Sequence, residues 1–378
     1  MGGGRLCSKS GGLKSLTTFE CRNCRRPYPD QGLPYRCPHC GGVFGLSTGI
    51  QFSQEEVDGK LPGLWRYRHS FGLPEDAPVV NLGEGDTPLV AGQGFGKKLA
   101  FKLEYLNPTG SFKDRGTAPL ISMLLSRNVR EAVEDSSGNA GAAFAAYAAR
   151  AGLRARVFVP GYASGPKRKQ IEAYGAVLEP IAGPRSQAAE AVQKAAEAGA
   201  VYASHAHLPF GIPGIATIAY ELVEQLGEAP GSVLAPAGHG SLLLGIAEGF
   251  AALQAAGIIQ NQPRLVGVQA RRCAPLWALA TQGPSGLAWV TEGETVAEGV
   301  RVRQPLRGDE LLAKVEASGG RFVAVEEEHI LPARDALALA GLYVEPTSAL
   351  VWAALQEVAA ELPDPIVLIL SGSGLKAL

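Results

Sequence analysis

This 378-residue chain lacks an excess of charge of either sign, because its 35 lysines and arginines nearly balance its 36 aspartates and glutamates. The chain therefore lacks the overall field that draws proteins to nucleic acids or anionic membranes. Apolar runs are short, and none approaches the roughly 20 residues of a transmembrane helix. The first 20 residues are polar and rich in glycine, without the apolar segment of a secretory signal. We therefore expect a cytoplasmic protein that binds neither nucleic acid nor membrane, with residues 1–16 as a flexible tail.

Cysteine is also scarce, but four of the six cysteines are clustered near the N-terminus. Two residues separate Cys21 from Cys24, and two separate Cys37 from Cys40. Two such pairs, joined by a linker rich in proline and glycine, have the spacing of a tetrahedral zinc site made by four thiolates. The alternative is a pair of disulfides, which a cytoplasmic location disfavours. We predict a structural, zinc-ribbon-like knuckle over residues 17–50, since a segment this short cannot form a core of its own.

After a connector, short β-rich runs alternate with alanine-rich stretches of helical spacing. Most of the runs are continuously apolar, as expected for strands covered on both faces. The alternation predicts an α/β fold with parallel-rich sheets flanked by helices. The predicted strands are residues 99–103, 156–159, 177–181, 232–235, 264–269 and 366–370, and the predicted helices are residues 140–151, 186–198, 214–225 and 242–256.

One lysine stands in an unusual setting, because Lys113 ends the run Asn-Pro-Thr-Gly-Ser-Phe-Lys that begins at residue 107. Lysine is normally a solvated surface charge. In a turn of small and hydroxyl-bearing residues it is a candidate amine nucleophile, of the kind that forms Schiff bases with carbonyls such as the aldehyde of pyridoxal phosphate. The alternative is a helix N-cap at Ser111 followed by an exposed lysine, and short motifs do produce such false matches.

Two glycine-rich loops follow predicted strands, and ligands in α/β folds bind beyond the carboxyl ends of strands. The first contains Ser136, Ser137, Gly138 and Asn139 and opens a predicted helix, so it suits a carboxylate or phosphate unless it is only a capping turn. The second runs through Gly238, His239, Gly240, Ser241 and Leu242. Its glycines allow successive N–H groups to form an anion nest, which makes it the better phosphate candidate.

A third loop lies near the end of the chain. Ser371 follows the apolar run 366–370 and begins the sequence Ser-Gly-Ser-Gly. A glycine-rich C-terminus is often disordered, but a buried strand directly before it favours an ordered hydroxyl at the tip of that strand.

Together these segments resemble the fold type II pyridoxal-phosphate enzymes, and most closely their threonine synthase branch. The resemblance extends from about residue 64 to the C-terminus and is carried by residues 83–89, 107–116, 136–140, 238–242 and 345–349. It implies a two-domain fold like that of the tryptophan synthase β subunit, with residues 51–117 plus 211–378 as the large cofactor-binding domain and residues 118–210 as the small domain. It also implies a homodimer that acts on a small amino-acid substrate.

The resemblance assigns roles to the residues of these loops. Lys113 takes the position of the Schiff-base lysine, Asn139 that of the contact to the cofactor's phenolic oxygen, and Ser371 that of the hydroxyl presented to the pyridine nitrogen. Gly238 to Leu242 correspond to the cofactor phosphate loop, and Ser111, Ser136, Ser137 and Gly138 to the substrate-binding positions. The implied reaction converts O-phosphohomoserine and water to threonine and phosphate.

The chain departs from the threonine synthases where those enzymes hold the substrate phosphate. Those enzymes have a segment Asn-Pro-x-Arg, followed by Gly-x-Lys-Thr. In this chain Leu208 replaces the asparagine, Gly211 replaces the arginine and Ala216 replaces the lysine. Apolar groups there remove charge-assisted hydrogen bonds, which are the stronger kind. Two sets of residues could compensate, namely His205 and His207, or the run from Lys167 to Lys169.

The remaining hypotheses are a dehydratase or ammonia-lyase acting on an unphosphorylated amino acid, and a protein that binds partners through the knuckle.

Overall fold

The computed structural model describes residues 17–161, 165–183 and 185–377. The predicted tail, residues 1–16, therefore lies outside the described residues. A small antiparallel pair of strands comes first, with β1 (Phe19–Cys21) against β2 (Phe44–Leu46). The two pairs of cysteines lie at either end of the chain segment that joins these strands, so that the fold of the segment brings all four together.

A six-stranded sheet forms the larger part of the protein. Its strands are β3 (Leu89–Gly94), β4 (Lys97–Lys102), β8 (Ser232–Pro236), β9 (Arg264–Ala270), β10 (Arg321–Val325) and β11 (Ile366–Ile369). They lie in the order β10-β9-β8-β11-β4-β3, and all pairings are parallel except that of β3 with β4. The last strand of the chain, β11, lies in the middle between β4 and β8.

A second, three-stranded parallel sheet consists of β5 (Glu131–Glu134), β6 (Arg154–Pro160) and β7 (Val177–Ile181), in that order. It falls within the predicted small domain, and the division into two domains stays a prediction. Parallel strands need crossover connections, and helices supply them here. The helices are α1 (Lys113–Ser126), α2 (Asn139–Ala151), α3 (Pro166–Ala173), α4 (Arg185–Glu197), α5 (Ile212–Leu226), α6 (Ser241–Ala255), α7 (Pro275–Gln282), α8 (Gly308–Ala317), α9 (Glu327–Leu339) and α10 (Pro346–Val358).

The large sheet is covered on both faces, which explains why β11 is apolar at every position. Val367 and Ile369 belong to the core cluster that includes α5 and α6, whereas Ile366 and Leu368 belong to the cluster that includes α9 and α10. All four side chains are buried. The predicted α/β fold with parallel-rich sheets and flanking helices is confirmed.

No helix within the described ranges has both the length and the apolar character needed to cross a lipid bilayer.

Candidate active site

Lys113 is the first residue of α1, directly after a tightly built turn. The backbone N–H and the hydroxyl of Thr109 both donate to the Asp114 carboxylate, at 2.7 and 2.5 Å. Gly110 has a φ of +84°, a conformation that glycine adopts without strain. The Ser111 hydroxyl is buried without a hydrogen-bond partner and does not cap the helix. The turn thus fixes the position from which the Lys113 side chain extends. Ser111 does not form the N-cap of the alternative prediction.

The amine of Lys113 is poised for nucleophilic attack. Its pKa is lowered to about 8, mainly by burial and also by the charge of Arg185, although the carboxylates of Glu134 and Glu345 oppose both effects. Its Nζ lies 4.9 Å from the centroid of the Phe112 ring. A neutral amine is the nucleophilic form, and a pKa near 8 leaves an appreciable neutral fraction at neutral pH.

The loop after β5 leads into α2, whose first residue is Asn139. The Asn139 amide donates a 2.9 Å hydrogen bond to Oε1 of Glu345, while its own Oδ1 is buried without a partner. Gly138 donates its N–H to the Ser136 hydroxyl at 3.2 Å. A Cβ at Gly141 would lie 1.8 Å from the Ser136 carbonyl oxygen, so only glycine lets the helix begin this close to the loop. The loop therefore presents a free amide oxygen at a helix start.

The loop after β8 opens α6, which begins at Ser241. Gly240 has a φ of +100°, and this turns the chain so that the first N–H groups of the helix point out of its end. The Ser241 hydroxyl and Nδ1 of His239 are both buried without a partner. Gly238 packs so closely that a Cβ there would lie 2.8 Å from the Gly299 carbonyl oxygen. Unsatisfied donors at a helix N-terminus are a site for an anion.

Ser371 lies just past the end of β11 and is buried. Its hydroxyl lies 3.0 Å from that of Ser348, which also accepts the Gly372 N–H at 2.8 Å. The C-terminal glycine-rich segment is therefore ordered, and it carries a hydroxyl at the tip of a central strand.

These loops meet at one cavity of about 150 Å³. The predicted site residues that line it are Lys113, Ser136, Ser137, Gly138, Asn139, His239, Gly240, Ser241, Leu242 and Ser371. Two predicted residues are absent from its lining. Gly238 belongs to the second loop and packs against neighbouring backbone. The backbone of Ser111 pairs with that of Gly372. The predicted residues thus converge, and their individual roles stay predictions.

Pyridoxal phosphate fits the groups that this cavity offers. A reactive amine stands at one wall, and a helix N-terminus with an unpartnered hydroxyl stands at another. The free Oδ1 of Asn139 and the Ser371 hydroxyl supply polar contacts between them. Buried polar atoms normally have hydrogen-bond partners, so the unpartnered atoms here mark where a ligand would supply them.

Three cavity residues stand outside the predicted site: Arg185 is not singled out by the sequence, Glu345 only belongs to a segment that carries the resemblance, and His205 is only one of the residues that could compensate for the lost phosphate ligands. Glu345 accepts from Asn139 and also forms a 2.9 Å ion pair with Lys167. Arg185 is the first residue of α4, shortly after β7. Both Arg185 and His205 line the same cavity. The rule that ligands bind beyond the carboxyl ends of strands could have pointed to Arg185, whereas nothing in the sequence indicated that Glu345 would bridge to Lys167.

Two of the three positions that depart from the threonine synthase pattern lie directly beside Lys113. Leu208 and Gly211 line a small cavity of about 20 Å³ that also touches Lys113 and Ser241. A Cβ at Gly211 would lie 2.9 Å from the Gly116 carbonyl oxygen, so this close contact leaves no room for an arginine. Ala216 is fully buried. This wall therefore offers no charged group.

The four predicted zinc ligands come together. The Sγ atoms of Cys21, Cys24, Cys37 and Cys40 all lie within 4.8 Å of one another, and no disulfide joins them. The Cys21–Cys40 and Cys24–Cys37 sulfur distances are 3.4 and 3.7 Å. Zinc–sulfur bonds of about 2.3 Å give a tetrahedron with sulfur–sulfur edges of about 3.8 Å. The donor set and its spacing fit a zinc ion.

A buried ion network lies on the other side of α1. The guanidinium of Arg115 binds the carboxylates of Glu104 and Glu221 in two-pronged fashion, with distances of 2.7 to 2.8 Å. Lys102 adds a 2.7 Å contact to Glu221. All four side chains are fully buried. The network joins the turn that carries Lys113 to β4 and α5.

Comparison with known proteins places the chain in a family. Residues 80–372 match the family described as pyridoxal-phosphate dependent enzyme. The chain is 31% identical over 374 residues to a threonine synthase of Methanocaldococcus jannaschii, covering 94% of this chain and 92% of that one. It is 34% identical over 320 residues to a threonine synthase of Synechocystis, covering 82% of each.

Solved structures agree with this placement. A T.th. threonine deaminase is 30% identical, with a TM-score of 0.64 over 76% of this chain and 92% of that one. A serine racemase of maize, 24% identical, has a TM-score of 0.66 over 76% of this chain and 88% of that one, which supports the fold. The chain therefore belongs to the pyridoxal-phosphate-dependent enzyme family, in its threonine synthase-like branch.

Proposed function

We propose that this protein is a pyridoxal-phosphate-dependent lyase that converts O-phosphohomoserine and water to threonine and phosphate. The observation that carries the proposal is the convergence of Lys113, Asn139, the loop around Ser241 and Ser371 on one cavity. The curated relatives named threonine synthase, which match over most of the chain, support the choice of reaction.

When bound, pyridoxal phosphate would supply an aldehyde for an amine and a conjugated ring that accepts electrons. Lys113 would hold the cofactor, and the N-terminus of α6 at Ser241 would hold its phosphate. Asn139 would contact the phenolic oxygen, and the loop from Ser136 to Gly138 would receive the substrate carboxylate. This division follows the shape of the cavity, since each loop reaches it from a different strand.

Lys113 would also move protons. Its low pKa allows the amine to accept a proton near neutral pH and to return it later, as general acid–base catalysis requires. Ser371 would place a neutral hydroxyl at the pyridine nitrogen. A hydroxyl does not hold a proton on that nitrogen as a carboxylate would, and this favours elimination and replacement over transamination.

The decisive measurement is phosphate release from O-phosphohomoserine by the purified protein loaded with pyridoxal phosphate. We expect threonine and phosphate in equal amounts. Formation of a 2-oxo acid from serine or threonine, with no phosphate released from O-phosphohomoserine, would contradict the proposal.

A dehydratase or ammonia-lyase acting on an unphosphorylated amino acid is the second candidate. The apolar wall at Leu208 and Gly211 favours it, because charged phosphate ligands are missing there and at the buried Ala216. The 30% identity to a solved threonine deaminase is consistent with it. Assays of 2-oxo acid formation with serine and threonine separate the two candidates.

We also propose that Cys21, Cys24, Cys37 and Cys40 bind a structural zinc ion, supported by the spacing of their sulfur atoms. The holoenzyme is expected to be a cytoplasmic homodimer, with a large domain formed by residues 51–117 and 211–378 and a small domain formed by residues 118–210. Metal analysis of the purified protein tests the zinc site, and its mass in solution tests the homodimer.

A further inference from the structure

The cavity around Lys113 adjoins a larger cleft of about 730 Å³ that is rich in charge. Ser137, Gly138, Lys167, Arg185 and Glu345 line both spaces. The described cationic side chains around the two spaces are those of Lys113, Lys167, Arg185, Arg301, Arg334 and Lys376.

Most of these cations are already engaged by the protein. Lys167 forms its ion pair with Glu345 at 2.9 Å, and Arg334 forms one with Asp335 at 2.7 Å. Lys376 donates to the Thr109 carbonyl at 2.7 Å, and Arg301 donates to a backbone carbonyl at 3.0 Å. Lys113 is assigned to the cofactor. Apart from Lys113, each of these groups already has a hydrogen bond or an ion pair within the protein.

Arg185 is the exception among the described residues that line the cavity. It makes no hydrogen bond and no ion pair with the described protein, yet its charge lowers the pKa of Lys113 and of His239. Its charge also opposes the rise in pKa that burial causes at Glu134 and Asp135. The guanidinium therefore lies near these buried groups and forms an ion pair with neither carboxylate.

The carboxylates nearby are accounted for by other groups. Glu134 lies 2.6 Å from Nδ1 of His205, and Asp135 accepts a 2.7 Å hydrogen bond from the Tyr202 hydroxyl. Glu345 is neutralised by Lys167. Glu298 lines the cavity as well but is exposed to solvent, which screens its charge.

The histidines do not supply a competing positive charge. Burial lowers the pKa of His205 well below its usual value and that of His207 to about 3. Both rings are thus neutral at neutral pH, and compensation for the lost phosphate ligands through these histidines is not supported.

We propose that Arg185 binds the distal phosphate of the substrate and so determines specificity for a phosphorylated amino acid. This inference rests on the proposed function. It places the phosphate-binding guanidinium at the start of α4, where Arg185 lines the same cavity as Lys113. Arg185 is suited to the task because a guanidinium binds phosphate oxygens through two parallel hydrogen bonds.

The test is ligand binding to the holoenzyme, followed by the rapid change in the absorbance of the bound cofactor after mixing, before O-phosphohomoserine is consumed. The parent protein and the variants Arg185→Gln, Arg185→Lys and Arg334→Gln are titrated with O-phosphohomoserine and with threonine, which lacks the phosphate. Inorganic phosphate is then added as a competitor. Arg334→Gln is the matched control, because it removes an arginine from the same cleft that is paired with Asp335.

We expect Arg185→Gln to weaken O-phosphohomoserine binding roughly tenfold to a hundredfold, the usual size for a lost charge-assisted contact. Threonine binding should change less than about twofold. Arg185→Lys should restore part of the affinity, and competition by inorganic phosphate should weaken in parallel. The control variant should bind both ligands as the parent does.

Three results separate this inference from the proposed function. If the parent releases phosphate from O-phosphohomoserine while Arg185→Gln, with its cofactor absorbance intact, binds that substrate as the parent does, Arg185 is not the ligand. An equal loss of affinity for threonine in both Arg185 variants also overturns the inference, because it indicates a general structural role. If the parent binds O-phosphohomoserine through Arg185 but does not turn it over, the inference stands and the proposed reaction is wrong.

Discussion

Nδ1 of His205 lies 2.6 Å from Oε1 of Glu134 at the wall of the cavity that holds Lys113. Burial raises the pKa of the Glu134 carboxyl to about 7 and holds that of His205 well below its usual range. Both shifts favour a neutral pair in which the proton resides on the carboxyl. The charge that Lys113 experiences from this wall therefore changes near neutral pH, as Glu134 ionises.

The first prediction concerns the pH dependence of cofactor binding to the apoenzyme. Only the neutral amine of Lys113 attacks an aldehyde, so the rate should rise with pH to a midpoint near 8. At that pH Glu134 is ionised and favours the lysine cation. Glu134→Gln removes this charge and should move the midpoint to lower pH. Glu131→Gln, at a partly exposed position of the same strand, is the control, and an unchanged midpoint in Glu134→Gln contradicts the assignment.

The second prediction concerns Lys113 itself. Lys113→Ala removes the amine while leaving the turn formed by Thr109 and Asp114 intact, so the variant should fold. It should lose the absorbance band of the lysine-bound cofactor and fall in kcat by at least about a thousandfold, as expected when a covalent and acid–base group is removed. Lys98→Ala, at an exposed lysine, should retain both. Retention of the band in Lys113→Ala would show that another amine holds the cofactor.

The third prediction concerns the knuckle. Cys21→Ser removes one of four sulfur ligands and should abolish stoichiometric zinc and lower the thermal stability of the N-terminal segment. The cofactor absorbance should persist, because the four sulfurs do not line the cofactor cavity. Cys273→Ser, at a buried cysteine outside the cluster, is expected to keep its zinc. Complete loss of cofactor binding in Cys21→Ser would instead make the knuckle part of the active-site architecture.

The fourth prediction concerns the buried ion network. Arg115 and Lys102 hold the pKa of Glu221 well below its usual value despite its burial. A depressed carboxyl pKa contributes stability above the unfolded value of about 4.3, and that contribution is lost as pH falls. Glu221→Gln should reduce the free energy of unfolding at pH 7 by about 3–5 kcal/mol, the usual cost of leaving a buried charge unpaired. The deficit relative to the parent should shrink below about pH 4.

Glu224→Gln provides the comparison for this fourth prediction. Glu224 lies on the same helix but is exposed, and it pairs with Arg66 at the surface. Its loss should cost less than about 1 kcal/mol. Urea unfolding at pH 7 and at about pH 3 measures both variants, and equal losses in the two would refute a special role for the buried network.

The predictable parts of this fold are those in which a local signal decides the structure. The apolar runs at residues 232–235 and 366–370 become β8 and β11, because strands covered on both faces need apolar side chains throughout. The glycine-rich loops that follow them line the cavity as expected. The strand β10 has an apolar run of the same kind and is detectable by this criterion, although our prediction omits it.

The unpredicted parts depend on partners that are distant in the chain. β3 is an edge strand, largely exposed, so it lacks an apolar run. Glu134 looks like a surface residue in the sequence, and only the fold brings His205, 71 positions later, to its carboxyl. Glu345 meets Asn139 across 206 positions. Such contacts are set by tertiary structure, which single-residue propensities do not encode.

The central position of β11 has a consequence for synthesis of the chain. Ile366–Ile369 pairs with β4 on one side and β8 on the other, so the large sheet is divided in two until this strand is available. The hairpin of β3 and β4 has an open edge until β11 has been synthesised, and open edges are sites of unwanted pairing. Loss of the residues from Ile366 onward would therefore deprive the nascent protein of its central strand and of Ser371 together.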